Sequence, residues 1–526
     1  MNVGAARRSR KLRRDRHVVM AASMVTGLAI LATLAFALRF SEVDATARGE
    51  GRAGVLAVMP FQPLSPDPDT SYLGIGLADS IINNLSGVPG LTVRPMSAAL
   101  SVAKEDAEPL EAARRLQATE VLTGTYQQVG SRFQVSVQLV DADTGFALWG
   151  RTFNSGIDDL IELEQKVVRE TLATLVPDVK EADTARRALA RESDATARYL
   201  YMLARGKLAT WESRPIPEAV ELLEQAIRID PDFAAAHASL AEASASMFYG
   251  GITSDATWID RAIASGRRAV YLDPRNANAH YALGYADWVD GNPTEAAREM
   301  LRALELDPGH ALALESLAGL LSRAEMAGPA RLLADRAREA DPSLEIGWVD
   351  LRIAVMEGTS QEMIARLERL LDRRRGSGRS PELPIMFLGY MAFRTGDAAA
   401  GLRWAAMLEE ASANKVYADM IRMLALARTG DAEAVMRIVE KNRVAFKRDS
   451  EYCQWIGIAL AKIGENSDAL DWLERSVRLG NSDPEMLAGS PDLDPLRTNP
   501  RFQKVLSATR GRAREIVQLA AFAGYR

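Results

Sequence analysis

"NANAHYALGYADWVDGNPTEAAREMLRALELDP", residues Asn276–Pro308, decides most of the fold. Leu283-Gly284 is a small pair that lets one helix approach its neighbours. Gly291 permits a tight turn. Asn292, Pro293 and Glu295 read as N-cap, first helical position and N3 of a second helix. Ala296 and Ala303 are its small contact positions, and Asp307-Pro308 ends it, because the residue before proline disfavours the α region. The unit is therefore a helical hairpin.

It recurs. Asp-Pro stands at 230, 273, 307 and 341, with proline spacings of 43, 34 and 34, and Gly396, Gly430 and Gly464 are also 34 apart. A 34-residue period is the signature of tetratricopeptide (TPR) helix pairs stacked into a solenoid. About eight pairs fit between residues 195 and 480. "FYGGITSDA" is an inserted loop, "RRRGSGRSP" (373–381) a joint between two sub-blocks, and 481–526 a terminal loop with a capping helix. The stacked first helices are expected to line the concave face of an elongated, curved rod.

Toward the N-terminus the period changes. Phe133, Val135, Val137 and Leu139 alternate with Gln134, Ser136 and Gln138, a strand with one buried face. "DADTGFALW" is the turn into the next strand. Short strands at 53–61 and 91–95, helices from about Leu73 and Pro109, three consecutive strands and a closing helix give the order β-α-β-α-β-β-β-α. The fold class is thus a small α+β domain, residues 54–178, followed by an all-α solenoid.

"VMPFQPLSPDPDTSYLGIGLADSIINNLSGVPGLTVRP", "LQATEVLTGT" and "VQLVDADTGFALW" resemble the TolB-amino-terminal-like (FlgO-like) module from Val55 to about Leu175. The resemblance implies a domain outside the membrane, joined to a TPR array as in CadC-like and adenylate cyclase-associated bacterial membrane regulators. Those regulators carry a cytoplasmic effector, and the 17 residues before the apolar segment cannot hold one, which puts direct transcriptional or cyclase output in doubt.

That apolar segment, Val18–Leu38, holds 21 uncharged residues, enough to span about 30 Å of hydrocarbon. The basic tail 1–17 carries +6 and leaves −12 for the rest. The positive-inside tendency puts the tail in the cytoplasm and everything after the 39–53 linker in the periplasm of a bacterial cell, with the inner membrane between. A cleaved signal peptide is the rival reading, with Ala35-Phe36-Ala37 and Ala45-Thr46-Ala47 as candidate sites. The Arg run reads as a topology signal, and the acidic body implies no nucleic-acid partner.

Residues with catalytic or metal-binding spacing are not evident. His17, His237, His280 and His310 form no metal motif, the last three falling at comparable places in first helices, and Cys453 is the sole cysteine. "LGIGLAD" (73–79) lacks the glycine pattern of a phosphate cradle. No cofactor, metal or enzymatic activity is expected. What remains is a surface. Asn278, Tyr281, Tyr285, Trp288 and, in the next repeat, Arg323 occupy one helical stripe, and aromatic and Arg residues are enriched at interface hot spots. The competing reading packs Tyr281, Tyr285 and Trp288 between repeats. The expectation is a membrane-anchored, non-enzymatic protein- or peptide-binding scaffold. The alternative is the sensory component of a signalling system whose output lies on another chain.

Overall fold

The computed structural model describes residues 54–65, 72–103, 108–129, 132–156, 160–177, 194–209, 215–249, 252–253, 255–377, 379–412, 415–447 and 449–525. The tail, apolar segment and linker (1–17, 18–38, 39–53) lie outside them. Among the described residues no helix is long and apolar enough to cross a membrane.

The first part is built on β1 (Gly54–Val58), β2 (Gln62–Pro63), α1 (Leu73–Leu85), β3 (Leu91–Val93), α2 (Met96–Ala103), α3 (Pro109–Arg115), β4 (Glu120–Val129), β5 (Arg132–Asp141), β6 (Ala147–Gly156) and α4 (Leu160–Leu175). The sheet runs β3-β1-β4-β5-β6, with β2 also on β4. Its β3, β1, β2 and β4 pairings are parallel, and β4-β5-β6 is an antiparallel meander. Two elements extend the expected order. β2 is two residues long, too short for any periodicity, and α2 ("MSAALSVA") is apolar nearly throughout, so it shows no helical stripe. The hairpin turn has Gly145 at φ +73°, and Asp141 Oδ1 accepts from Thr144 N and Oγ1, both at 2.8 Å.

Eight antiparallel helix pairs follow among the described residues: α5 (Ala195–Ala209) with α6 (Pro215–Ile229), α7 (Ala234–Tyr249) with α8 (Thr257–Leu272), α9 (Ala277–Val289) with α10 (Pro293–Leu306), α11 (Ala311–Arg323) with α12 (Ala327–Ala340), α13 (Trp348–Met356) with α14 (Ser360–Gly376), α15 (Glu382–Thr395) with α16 (Ala398–Ala411), α17 (Val416–Thr429) with α18 (Ala432–Lys441), and, after the short α19 (Arg443–Phe446), α20 (Ser450–Lys462) with α21 (Asn466–Arg478). The 34-spaced glycines 396, 430 and 464 have φ of +80°, +82° and +90°, so each hairpin turns on a left-handed residue that costs glycine no steric strain. Asp307 caps α10 in extended backbone at φ −136°, as the following proline demands.

Three local expectations are corrected. Asn292 is the N-cap of α10, but its side chain makes no cap bond: Nδ2 donates to Asp290 at 2.7 Å, and Glu295 pairs with Arg298. The joint expected at 373–381 is helical over Arg373–Gly376, where Arg374 is anchored on Glu345. One apolar cluster also crosses it, joining Met363, Leu367 and Leu371 to Ile385 and Phe387. His310 does not match His237 and His280: those two bond the carbonyls of Pro231 and Pro274 at 3.0 Å, whereas His310 is the N-cap of α11, accepting from Ala313 N.

The α+β part and the solenoid share a core. One buried cluster runs from Leu56 to Met247. "LGIGLAD" supplies the close approach: a Cβ on Gly74 would overlap the Phe61 carbonyl, and one on Gly76 the Met202 carbonyl of α5. Asp79 of α1 receives Arg205 Nε at 2.7 Å, with only 5% of its side chain exposed. Farther along, Arg94 donates to the Leu116 carbonyl at 2.7 Å and to Glu339 and Ala340 at the end of α12, whose Asp341 accepts from Ser97 at 2.5 Å.

The array does not run on as an open rod. After α22 (Pro484–Gly489) and a 3-10 turn at Pro491–Leu496, the last helix α23 (Pro500–Phe522) returns to the third and fourth pairs. Its Ala513, Ile516 and Ala520 lie in one cluster with Leu314, Leu317 and Leu333, and Thr294 bonds Glu515 at 3.0 Å. Apolar faces at both ends of the stretch are thereby buried against each other, which an isolated curved rod would leave wet.

Candidate functional site on the inner seam

The seam forms where α9–α11 meet α20 and the 479–483 turn. Gly291 and Gly480, at φ +85° and +87°, abut backbone to backbone: a Cβ on Gly291 would lie 2.6 Å from the Leu479 carbonyl oxygen. Such proximity is open only to glycine on both sides.

The five stripe residues divide. Asn278 is not free: its Nδ2 points to Asn83 of α1 at 3.4 Å and its Oδ1 accepts from His310 Nε2 at 3.0 Å. Tyr281 is 5% exposed, stacks on Tyr285 with centroids 6.2 Å apart, and burial pushes its hydroxyl pKa well up. Tyr281 therefore packs inside the molecule, and Asn278 is half-buried. Tyr285 and Trp288 are half-buried, their rings 5.9 Å apart, and burial takes Tyr285 up to about 12. Arg323 lies 5.8 Å over the Trp288 ring and donates to Glu451 of α20 at 3.1 Å, while its Nε is buried without a partner.

Sequence spacing did not reach the other half of the seam. Tyr249, at the end of α7, is 48% exposed, yet its ring meets Trp288 at 4.9 Å and Tyr285 at 6.5 Å. Its hydroxyl pKa is raised well above the ordinary value, by burial first and then by Tyr417 and Asp449 from the second half of the array. Tyr417 and Tyr452 meet edge to face at 5.6 Å. Asp449 caps α20, accepting from Glu451 N at 2.7 Å and Tyr452 N at 3.0 Å, and burial with Glu451 nearby pushes its pKa up to about 6. Glu451 is shared between Arg323 and Arg352, and Arg352 also holds Asp483. Burial opposes the Arg352 charge, but Asp483 and Glu451 outweigh it, and its pKa is raised. No local signal announces these partners: Arg323 and Glu451 are 128 positions apart.

The space among Trp288, Arg323, Glu451 and the 479–483 turn is about 20 Å³, room for a water molecule or two and far below a small-molecule pocket. Among the described residues no group of three or more His, Cys, Asp or Glu is placed to hold a metal. Cys453 is buried, and its thiol is pushed up to about 12, by burial first and then by Asp449. The seam offers aromatic faces, a half-exposed phenol and paired charges.

Residues 52–170 match the family of the second domain of HilA/YgeH-like transcriptional regulators. A Rhizobium meliloti (strain 1021) protein provisionally named adenylate cyclase 3 is 28% identical over 234 residues, 44% of this chain and 40% of its own length. The chain thus spans about two fifths of that relative. Among solved structures, the human IFIT1 dimer with m7Gppp-AAAA covers 80% of this chain and 98% of its own, at 13% identity and a TM-score of 0.37. A PelC dodecamer, a single-substitution variant from Paraburkholderia phytofirmans, covers 24% of this chain and 91% of its own, at 18% identity and a TM-score of 0.17. Those two scores are too low to transfer an arrangement or a ligand. The chain is a small mixed-sheet domain followed by TPR-like helical repeats, similar in its first part to a regulator domain.

Proposed function

We propose that this chain is a non-enzymatic scaffold that binds a protein or peptide partner, held at a bacterial inner membrane by residues 18–38 with its bulk in the periplasm. The supporting observation is the Tyr249–Trp288 rim: a half-exposed aromatic pair of the hot-spot type, fixed on rigid helices, which limits the ordering cost of binding. The TolB-like reading of the first domain supports the same placement outside the membrane. The test is a photo-crosslinking residue at 249 or 288 in living cells, with Tyr271, 78% exposed on α8, as control. Adducts at 249 and 288 are expected. Adducts at 271 alone would refute the rim, and a cytosolic C-terminal reporter would refute the topology.

A second reading makes the chain the sensory component of a system whose output domain is a separate polypeptide. The match of residues 52–170 to a transcriptional-regulator domain favours it. Co-purification of a cytoplasmic regulator with the full-length chain would distinguish it.

A further inference from the structure

β6 ends the sheet, and among the described residues its Trp149–Ser155 stretch is paired with β5 as its one neighbouring strand. It is ten residues long, well above the usual five or six or so. Free edges are ordinarily blunted by Lys, Pro or a bulge. β6 has one irregularity, opposite Leu139/Val140 at its start, and from Trp149 to Ser155 the register is regular. That stretch contains no Lys or Pro, and its single charge is Arg151. Arg151 and Phe153 stand opposite the buried Val137 and Val135, on the face covered by α4, where Arg151 meets Glu170 at 3.4 Å. The opposite face is uncharged: Thr152 and Asn154 lie beside Ser136 and Gln134, with the Ser136 and Thr152 hydroxyls 3.1 Å apart.

We propose that β6 pairs antiparallel with β6 of a second copy of this chain, about a two-fold axis at Thr152. Pleating fixes the choice of register. Residues opposed across a two-fold antiparallel pair share a face, so the axis must pass at a residue. At Arg151 it would set two guanidinium groups opposite each other. At Gly150 it would draw in the irregular start of the strand. At Phe153 it would deprive Arg151 of an aromatic partner. At Thr152 each Arg151 faces the partner's Phe153, a favourable cation–aromatic pair, Thr152 meets its copy, and the ladder stays within the regular stretch. A surface complementary to itself is what a two-fold dimer requires.

The test uses the full-length chain in mild detergent. In Thr152→Cys the two Cα atoms would stand about 4.5–5.5 Å apart, within disulfide range. In Gly150→Cys they would be offset by four residues along the strand, about 13 Å, and out of reach. Both variants leave the protomer intact: Thr152 is exposed, a Cβ on Gly150 meets nothing nearer than 3.5 Å, and the native Cys453 is buried. On mild oxidation Thr152→Cys is expected to run largely as a covalent dimer and Gly150→Cys as a monomer. Thr152→Lys and Thr152→Glu are expected to sediment as monomers separately and to re-form dimer when mixed. Failure of Thr152→Cys to crosslink, equal crosslinking of both cysteine variants, or a monomeric wild-type chain at tens of micromolar would overturn the proposal.

Discussion

Replacing Arg352 by Met tests whether the seam is held by its buried charges. Arg352 and Asp483 have 5% and 4% of their side chains exposed, and Arg352 also bonds Glu451. Breaking such a pair from one side strands a carboxylate, which typically costs about 3–5 kcal/mol. The low end applies here. Glu451 keeps Arg323, and Asp483 still accepts from Met486 N at 3.2 Å as the cap of α22. A loss of about 3 kcal/mol corresponds to roughly a hundred-fold faster native-state hydrogen exchange for the slowest amides of α20. The Arg352→Met/Asp483→Asn double variant removes both charges and should return to within about 1 kcal/mol of wild type, since apolar replacement of a whole buried pair is often neutral. Acid should act in the same direction. Burial would raise the Asp483 pKa, but Arg352 outweighs it and the carboxyl is held below its usual 3.8. Its contribution is therefore complete above about pH 4 and fades as pH falls through the lowered value. Unchanged exchange in Arg352→Met, or a double variant as damaged as the two singles added, would refute the reasoning.

Gly430→Ala and Gly291→Ala share a positive φ but differ in surroundings. The first meets nothing within 4 Å and should cost only left-handed strain, about 1 kcal/mol; the second also overlaps the Leu479 carbonyl and should cost more than about 2 kcal/mol, with a larger radius of gyration by X-ray scattering. Equal urea midpoints for the two would contradict this. Asp287 is buried, and that burial, with Glu299 nearby, raises it to about 6 from 3.8. The native state thus holds the proton more tightly than the unfolded chain, and stability falls as pH rises from about 4 to 6. Asp287→Asn should gain on the order of 1–2 kcal/mol at pH 7 and nothing below pH 4, read from urea midpoints across that range.

The local sequence determined most elements and their neighbours in the chain, the two-residue β2 and the uniformly apolar α2 excepted. Left-handed glycines at 34-residue spacing, Asp-Pro helix ends and two-residue alternation in β5 are short-range signals, because turn sterics and the burial of one helix or strand face act over a few residues. The same logic placed Tyr285, Trp288 and Arg323 on one stripe. What covers that stripe is a different question. Repeats that bury a continuous core can stack open or closed, and the choice rests on contacts between positions far apart: Gly291 with Gly480, Arg323 with Glu451, Ile516 with Leu314. Asn278 and Tyr281 read as groove residues for the same reason, since no spacing rule announces that Asn83 and His310 lie across from them. Tertiary closure turned an expected open groove into a seam, because apolar helix faces are more stable against each other than against water, and the charges that closure takes out of water are tolerated because they pair, Arg352 with Asp483 and Glu451.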